Sequence, residues 1–185
     1  MSRLNMFNSV TLDGYFTGEN GDLSWAHGGM DDPEFGEFVS GNASGGGALL
    51  MGRITHDMMI RYWPTPMAMQ NDPVVAKGMN EMKKYVFSRT FDQSTWSNTT
   101  VLKGDIATEV RKLKEGGDPI TILGSGTIVA QLAETDLIDT WQFVVVPVFL
   151  GKGRTLFEGV RQPRNLKLTE SRAFKNGSIV NSYER

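Results

Sequence analysis

The sequence predicts an α/β fold, a mostly parallel sheet with helices on both faces and an antiparallel hairpin at its C-terminal edge. Three observations carry that prediction. Strand-like and helix-like segments alternate up to about residue 146, the imprint of a parallel sheet with crossover helices. Ala48-Leu49-Leu50-Met51 is a continuous apolar run, as expected of a strand covered on both sides. Leu166 to Phe174 and Ser178 to Tyr183 read as strands turning at Lys175-Asn176-Gly177.

The elements follow in order. Leu4 to Val10 mixes apolar with small polar residues and reads as a first strand, and the glycine-rich stretch Thr11 to Asp22 as a loop. Asp31-Asp32-Pro33-Glu34 is a helix start: an acidic cap, a proline in the first turn, then a further carboxylate. Phe35 and Phe38 give that helix an apolar face, and Gly45-Gly46-Gly47 ends it. After the strand at Ala48–Met51, Gly52 to Met59 turns at once into a helix, which Trp63-Pro64-Thr65-Pro66 stops. Val74 to Lys84 reads as a short helix, with strands at Tyr85–Phe87 and Thr99–Leu102. Ile106–Lys114 is helical, Pro119–Leu123 a strand, Ser125–Ala133 a helix, and Trp141–Val146 a β-branched strand. With no repeat and no linker, residues 1–185 are expected to form a single domain.

Composition narrows the function. A net charge of -2 offers no basic field for nucleic acid or anionic lipid. The absence of cysteine removes disulfides, thiolate zinc sites and cysteine nucleophiles. The longest apolar run, Phe143 to Leu150, holds a proline and is short for a bilayer, which takes about 20 residues. With no signal-peptide core at the N-terminus, a soluble cytoplasmic protein is expected. His27 and His56 are too few and too separated for a metal site, so none is expected. His56 reads as a helix-face residue and His27 as a loop residue within reach of a substrate. No G-x-S-x-G elbow marks a serine hydrolase. Met58, Met59 and the methionines near Met67 read as core or pocket lining, and Lys83, Lys84, Lys112 and Lys114 as solvated charges.

Chemistry gathers where strands give way to helices. At Leu49-Leu50-Met51-Gly52-Arg53-Ile54-Thr55 a buried strand ends in glycine beside a helix N-terminus, a natural anion site. Arg53 adds a planar fork suited to a phosphate monoester, and Thr55 a hydroxyl. The alternative is a tight turn with a solvated arginine. Val86-Phe87-Ser88-Arg89-Thr90 repeats the arrangement at another strand end. Two arginines at such ends suit the 2′-phosphate that distinguishes NADPH from NADH. Ile122-Leu123-Gly124-Ser125-Gly126-Thr127-Ile128 is a third strand-glycine-helix junction, with Val129 where a Rossmann fingerprint needs its last glycine.

These motifs together resemble the dihydrofolate reductase-like superfamily. Leu12-Asp13-Gly14-Tyr15 with Gly18, Gly21, Asp22 and Trp25 is similar to its opening, Met51 to Met59 to its cofactor helix, and Leu123-Gly124-Ser125-Gly126 to its second glycine motif. Val146-Pro147-Val148-Phe149-Leu150-Gly151-Lys152-Gly153-Arg154-Thr155-Leu156-Phe157 is similar to one branch, the reductase domain of riboflavin-biosynthesis deaminase-reductases and its stand-alone relatives. The resemblance implies a three-layer dihydrofolate reductase-like fold and an NADPH-dependent reductase acting on a C=N or C=O bond of a small heterocycle. It implies that Arg53, Ser88 and Arg89 face the 2′-phosphate, and that Gly52, Thr55, Gly124, Ser125, Gly126, Thr127 and Ile128 hold the pyrophosphate. Val10 and Phe16 would touch the cofactor, with Phe16 to Asp22 as a lid, and the protein would be a homodimer. The family's catalytic acid has Asp31, Asp32 and Glu34 as candidates, each equally readable as part of a helix cap. The rival readings are a nucleotide-binding module without catalysis and a structural dimer without cofactor.

Overall fold

The structure, a computed structural model, describes residues 1–27, 31–44 and 46–185. Gly28, Gly29 and Met30, beside the candidate acids, and Gly45 of the predicted helix stop lie outside the described residues.

The chain opens with β1 (Leu4–Thr11) and β2 (Tyr15–Thr17), then α1 (Pro33–Ser44). A tight unit follows: β3 (Ala48–Gly52), α2 (Arg53–Ile60), α3 (Pro66–Asn71), α4 (Pro73–Glu81) and β4 (Lys83–Phe87). Next come β5 (Thr99–Leu102), α5 (Ile106–Glu115), β6 (Ile120–Leu123), α6 (Gly126–Ala133) and β7 (Thr140–Val146). The chain closes with the short β8 (Arg154–Thr155) and the hairpin of β9 (Lys167–Ala173) and β10 (Ile179–Glu184). Helix α3 and strands β2 and β8 were not expected. Helix α3 is short, started by Pro66 behind a Thr65 cap, and β2 and β8 pair only with each other across 137 to 140 residues of chain, beyond any local pattern.

Eight strands form the main sheet in the order β5-β4-β3-β6-β1-β7-β10-β9. The first six are parallel, while β10 runs antiparallel to both β7 and β9. The predicted parallel sheet and its closing hairpin are both present. Because side chains alternate across a strand, β3 feeds two cores at once. Leu50 packs with Met6, Ile122, Val110 and Leu132 beneath α5 and α6. Leu49 and Met51 pack with Val75, Met79 and Val86 beneath α4. A third cluster joins Phe35 of α1 to Val144, Val180 and Phe174, with Phe35 and Phe174 edge to face at 5.2 Å. Helices therefore cover both faces, and the parallel strands present their C-terminal ends along one rim. Among the described residues no helix is long and apolar enough to cross a membrane.

The solvated reading of the lysines fails for two of them. Lys84 is 0% exposed: its Nζ donates to the carbonyls of Met79 (2.8 Å), Asn80 (3.2 Å) and Met82 (2.7 Å) and lies 4.6 Å from the Trp96 ring centre. The ammonium thus satisfies carbonyls at the end of α4. This is why the predicted Val74–Lys84 helix stops at Glu81: Met82 turns extended and Lys84 is already in β4. Burial lowers the Lys84 pKa from 10.5 to about 8. Lys114 is also buried, donating to Leu137 O and pairing with Asp139. The methionine reading divides as well, since Met67 and Met69 lie exposed on α3.

Candidate functional site

A cavity of about 1240 Å³ runs along the rim of the parallel strands. Five of them contribute walls: Phe7 to Ser9 in the second half of β1, Gly52 to Thr55 from the end of β3, and Phe87 to Arg89 from the end of β4. Leu102 to Gly104 from the end of β5 and Leu123 to Ile128 from the end of β6 complete the set. Open α/β sheets collect ligands at such strand ends because the loops diverge there and helix N-termini point inward. Arg53, Arg89 and Gly126, far apart in sequence, thus share one groove.

The two glycine junctions are built as a unit. Gly52 is extended and passes straight into α2 with no side-chain cap. At the other junction Gly124 (φ 60°) and Ser125 (φ 58°) are both left-handed, a pair of turns that frees the first amides of α6 toward the cavity. The Ser125 hydroxyl accepts from the Gly52 amide (2.9 Å) and lies 3.0 Å from both Thr55 Oγ1 and the Leu123 carbonyl. Gly52, Thr55 and Ser125 therefore spend these polar groups on each other, fixing the two helix N-termini side by side. All three line the cavity, along with Gly124, Gly126, Thr127 and Ile128.

The cations sit at neighbouring strand ends. Arg53 is exposed and pairs with Asp57 one turn along α2 (2.8 Å). Ser88 is buried, and its hydroxyl accepts from the amides of Thr90 (3.2 Å) and Phe91 (3.4 Å). It shapes the turn that presents the exposed Arg89. Lys103, which sequence reading passed over, adds a third cation at these strand ends, and Lys152 and Arg154 line the cavity as well. The signal for Lys103 was available, a lysine directly after a strand.

The loop after β1 folds over the groove. The Thr11 hydroxyl (2.5 Å) and the amides of Gly151 (2.7 Å) and Leu150 (3.0 Å) converge on Asp13 and hold its carboxyl below the usual range. This ties the opening motif to the late glycine motif, where β2 pairs with β8. Phe16, from β2, lies against Gly126 so closely that a Cβ there would collide with the ring. The Arg154 guanidinium lies 5.7 Å from the same ring, and Glu19 pairs with Lys152 at 2.8 Å. Val10 departs from expectation. It packs against the core beneath α5 and α6 and is absent from the lining, where Phe7, Asn8 and Ser9 stand instead.

The candidate acids do not reach the groove. Asp32, 7% exposed, caps α1 by accepting from the Glu34 amide (3.1 Å), and its other oxygen accepts from the Asn176 amide (3.1 Å) in the hairpin turn. Burial would raise its pKa, but these amides outweigh that and leave it lowered. Glu34 pairs with Arg172 of β9 (2.5 Å), and Asp31 is exposed, outside the lining. The physical reason is that a carboxylate at a helix start finds the free amides first. Of the two imidazoles, His27 lines the cavity. His56 is 4% exposed, packed on Phe91 (ring centres 5.2 Å apart) rather than displayed on a helix face. Among the described residues no group of three or more His, Asp or Glu could hold a metal ion.

Comparison with known proteins shows the family and the fold. The uncharacterized protein YyaP of Bacillus subtilis is 33% identical over 175 residues, covering 92% of this chain and 88% of that one. A protein assigned to riboflavin biosynthesis in Shewanella sp. PV-4 superposes with a TM-score of 0.77 at 22% identity, covering 99% of this chain and 98% of the other. A Thermotoga maritima diaminohydroxyphosphoribosylaminopyrimidine deaminase/5-amino-6-(5-phosphoribosylamino)uracil reductase gives 0.70 at 15% identity, this chain matching 56% of its length. Both solved structures share the dihydrofolate reductase-like fold. The model of the RibD C-terminal domain matches residues 3–180, and the chain belongs to that family.

Proposed function

We propose that the protein is an NADPH-dependent reductase that delivers hydride to a C=N or C=O bond of a small heterocycle of the pterin or pyrimidinone type. One observation carries the reading: Arg53, Arg89 and the N-terminus of α6 border a single groove at the ends of parallel strands. The groove fits a phosphorylated dinucleotide on its own terms. The first amides of α6 and the left-handed Gly124-Ser125 turn form a cradle for a pyrophosphate. Arg53 and Arg89 stand where a 2′-phosphate would extend from the adenosine end. Phe16, pressed on Gly126, gives a flat apolar wall that excludes water. When bound, the reduced nicotinamide supplies the hydride, and the residues named here orient it.

Among the described residues the lining holds no carboxylate free for proton donation: Asp31, Asp32 and Glu34 lie outside it, and Glu19 is paired with Lys152. The reading therefore takes the proton that completes the reduction from water, with His27 the imidazole in the lining. The reductase named for the Thermotoga relative supports a pyrimidinone-like substrate. The same reading carries a cytoplasmic homodimer, with β9, exposed along all seven residues at the sheet edge, as the surface offered to a second copy. The displacement of the acids favours a second reading, a nucleotide-binding module that does not turn over.

Titration of the protein with NADPH and with NADH, followed by nicotinamide fluorescence, tests the assignment. The expected result is preference for NADPH, with its consumption when pyrimidinones and pterins are screened. Binding without consumption of NADPH by any compound selects the module, and no binding of either nucleotide defeats both readings.

A further inference from the structure

Behind Arg53 lies a polar chain, with a buried histidine at its centre, that packing alone does not call for. His56 points from α2 into an apolar pocket, its ring 5.2 Å from Phe91 and 6.1 Å from Trp96. An aliphatic side chain would fill that space with no polar group to satisfy. Instead both ring nitrogens have partners: Nε2 lies 2.8 Å from Ser94 Oγ and Nδ1 3.1 Å from Asp57 Oδ1. Ser94 Oγ already accepts from the Trp96 amide (3.1 Å) and has one hydrogen to give. Giving it to Nε2 leaves the proton of the neutral ring on Nδ1, aimed at Asp57. The other Asp57 oxygen takes Arg53 Nη1 at 2.8 Å. Ser94, His56, Asp57 and Arg53 thus form one relay from the interior to the groove.

An exposed pair one helical turn apart does little to hold a long guanidinium by itself. Anchoring its carboxylate to a packed imidazole changes that, because the support is then rigid. We propose that His56 is a positioning residue for cofactor selectivity. By holding Asp57 with one oxygen toward the ring, it fixes Arg53 with a guanidinium edge turned to the groove, where a 2′-phosphate would be read. Without His56, Asp57 is free to rotate and grip Arg53 with both oxygens, withdrawing that edge. The inference rests on the proposed function, since it assigns a supporting group to the same site.

The test uses adenosine 2′,5′-bisphosphate and 5′-AMP, which differ only in the 2′-phosphate, titrated calorimetrically into the full chain. His56→Leu should weaken the bisphosphate about five- to tenfold and leave 5′-AMP within about twofold. His56→Gln, whose amide can donate to Asp57 and accept from Ser94, should restore most of the difference. Ser94→Ala, less disruptive of packing, should show the same selective loss at about two- to threefold, and it keeps the test open should His56→Leu not fold. Equal loss of both probes in these variants, or no loss in either, overturns the role of His56 while leaving Arg53 as the reader. If the wild type binds the two probes equally, or Arg53→Ala does not separate them, the proposed function fails and the inference with it.

Discussion

Helix α2 at the cavity rim and helix α1 beside the hairpin start from the same ingredients, a helix N-terminus with charged residues in or next to its first turn. The fold puts them to opposite uses. At α2 the first residue is a cation, which the free amides repel, so Arg53 extends into the groove and meets the half-buried Asp57. At α1 the charges are carboxylates, which the free amides attract, so Asp32 closes onto the helix and the hairpin turn while Glu34 pairs with Arg172. A charge of the wrong sign for a helix end stays available for a ligand, and one of the right sign is absorbed by the backbone.

Breaking the rim should give the largest effect. Arg53→Ala should weaken NADPH about 30- to 100-fold, from the loss of charge-assisted hydrogen bonds worth about 2–3 kcal/mol, and leave NADH nearly unchanged. Equal weakening of the two in a fluorescence titration would remove Arg53 from the 2′-phosphate site.

Lys84 sharpens the contrast, being a cation of the right sign for the helix end it caps. Lys84→Met takes this donor from the Met79 and Met82 carbonyls, while Asn80 O keeps Ser97 and Asn98, and should cost about 2–3 kcal/mol in urea unfolding. Its pH dependence has a definite sign. With the folded pKa lowered to about 8, the unfolded chain holds the proton more tightly between that pH and 10.5. The stability that Lys84 contributes therefore rises with pH across this window, and the wild type should pull further ahead of Lys84→Met. A gap that shrinks between pH 8 and 10 would show the ammonium to be favoured by its site.

Gly124→Ala probes the backbone of the rim. Its left-handed conformation should cost an L-residue about 1–2 kcal/mol of stability, and distortion of the turn should weaken NADPH as well. Intact affinity in this variant would separate the turn from nucleotide binding.

The smallest effect is expected at α1. Asp32→Asn should lower the melting temperature modestly and leave NADPH affinity and turnover alone. The Asp32 carboxyl is held below the usual range, so its contribution is present at neutral pH and fades as the solution is acidified through its folded pKa. The wild-type advantage over Asp32→Asn should therefore vanish in acid. Loss of turnover without loss of stability would return Asp32 to the reaction.

Legibility followed the length scale of each signal. Strand β3 and the start of α2 were readable because a four-residue apolar run ending in glycine and arginine is local information. The hairpin of β9 and β10 was readable from Asn176-Gly177 for the same reason. Lys84 and His56 were misread because a lysine next to Lys83, or a histidine among methionines, carries no local mark of burial. Val10 was misplaced because strand alternation does not tell which residues of β1 reach the groove: Phe7, Asn8 and Ser9 border it, while Val10 packs on the core.

By itself the sequence determined the eight strands of the main sheet and most of the helices between them, the parallel sheet with its antiparallel edge, and the strand ends that hold glycine and arginine. Periodicity, caps and turn residues act within a few positions, so each leaves its trace in place. Only the tertiary structure decided that Ser125 would bond Gly52 across 73 residues, that Asp32 would be consumed by the turn at Asn176, and that a histidine would stand behind Arg53. Those outcomes depend on which surfaces meet when the helices close on the sheet, and hydrogen-bonding groups buried there take the partners that packing brings within reach.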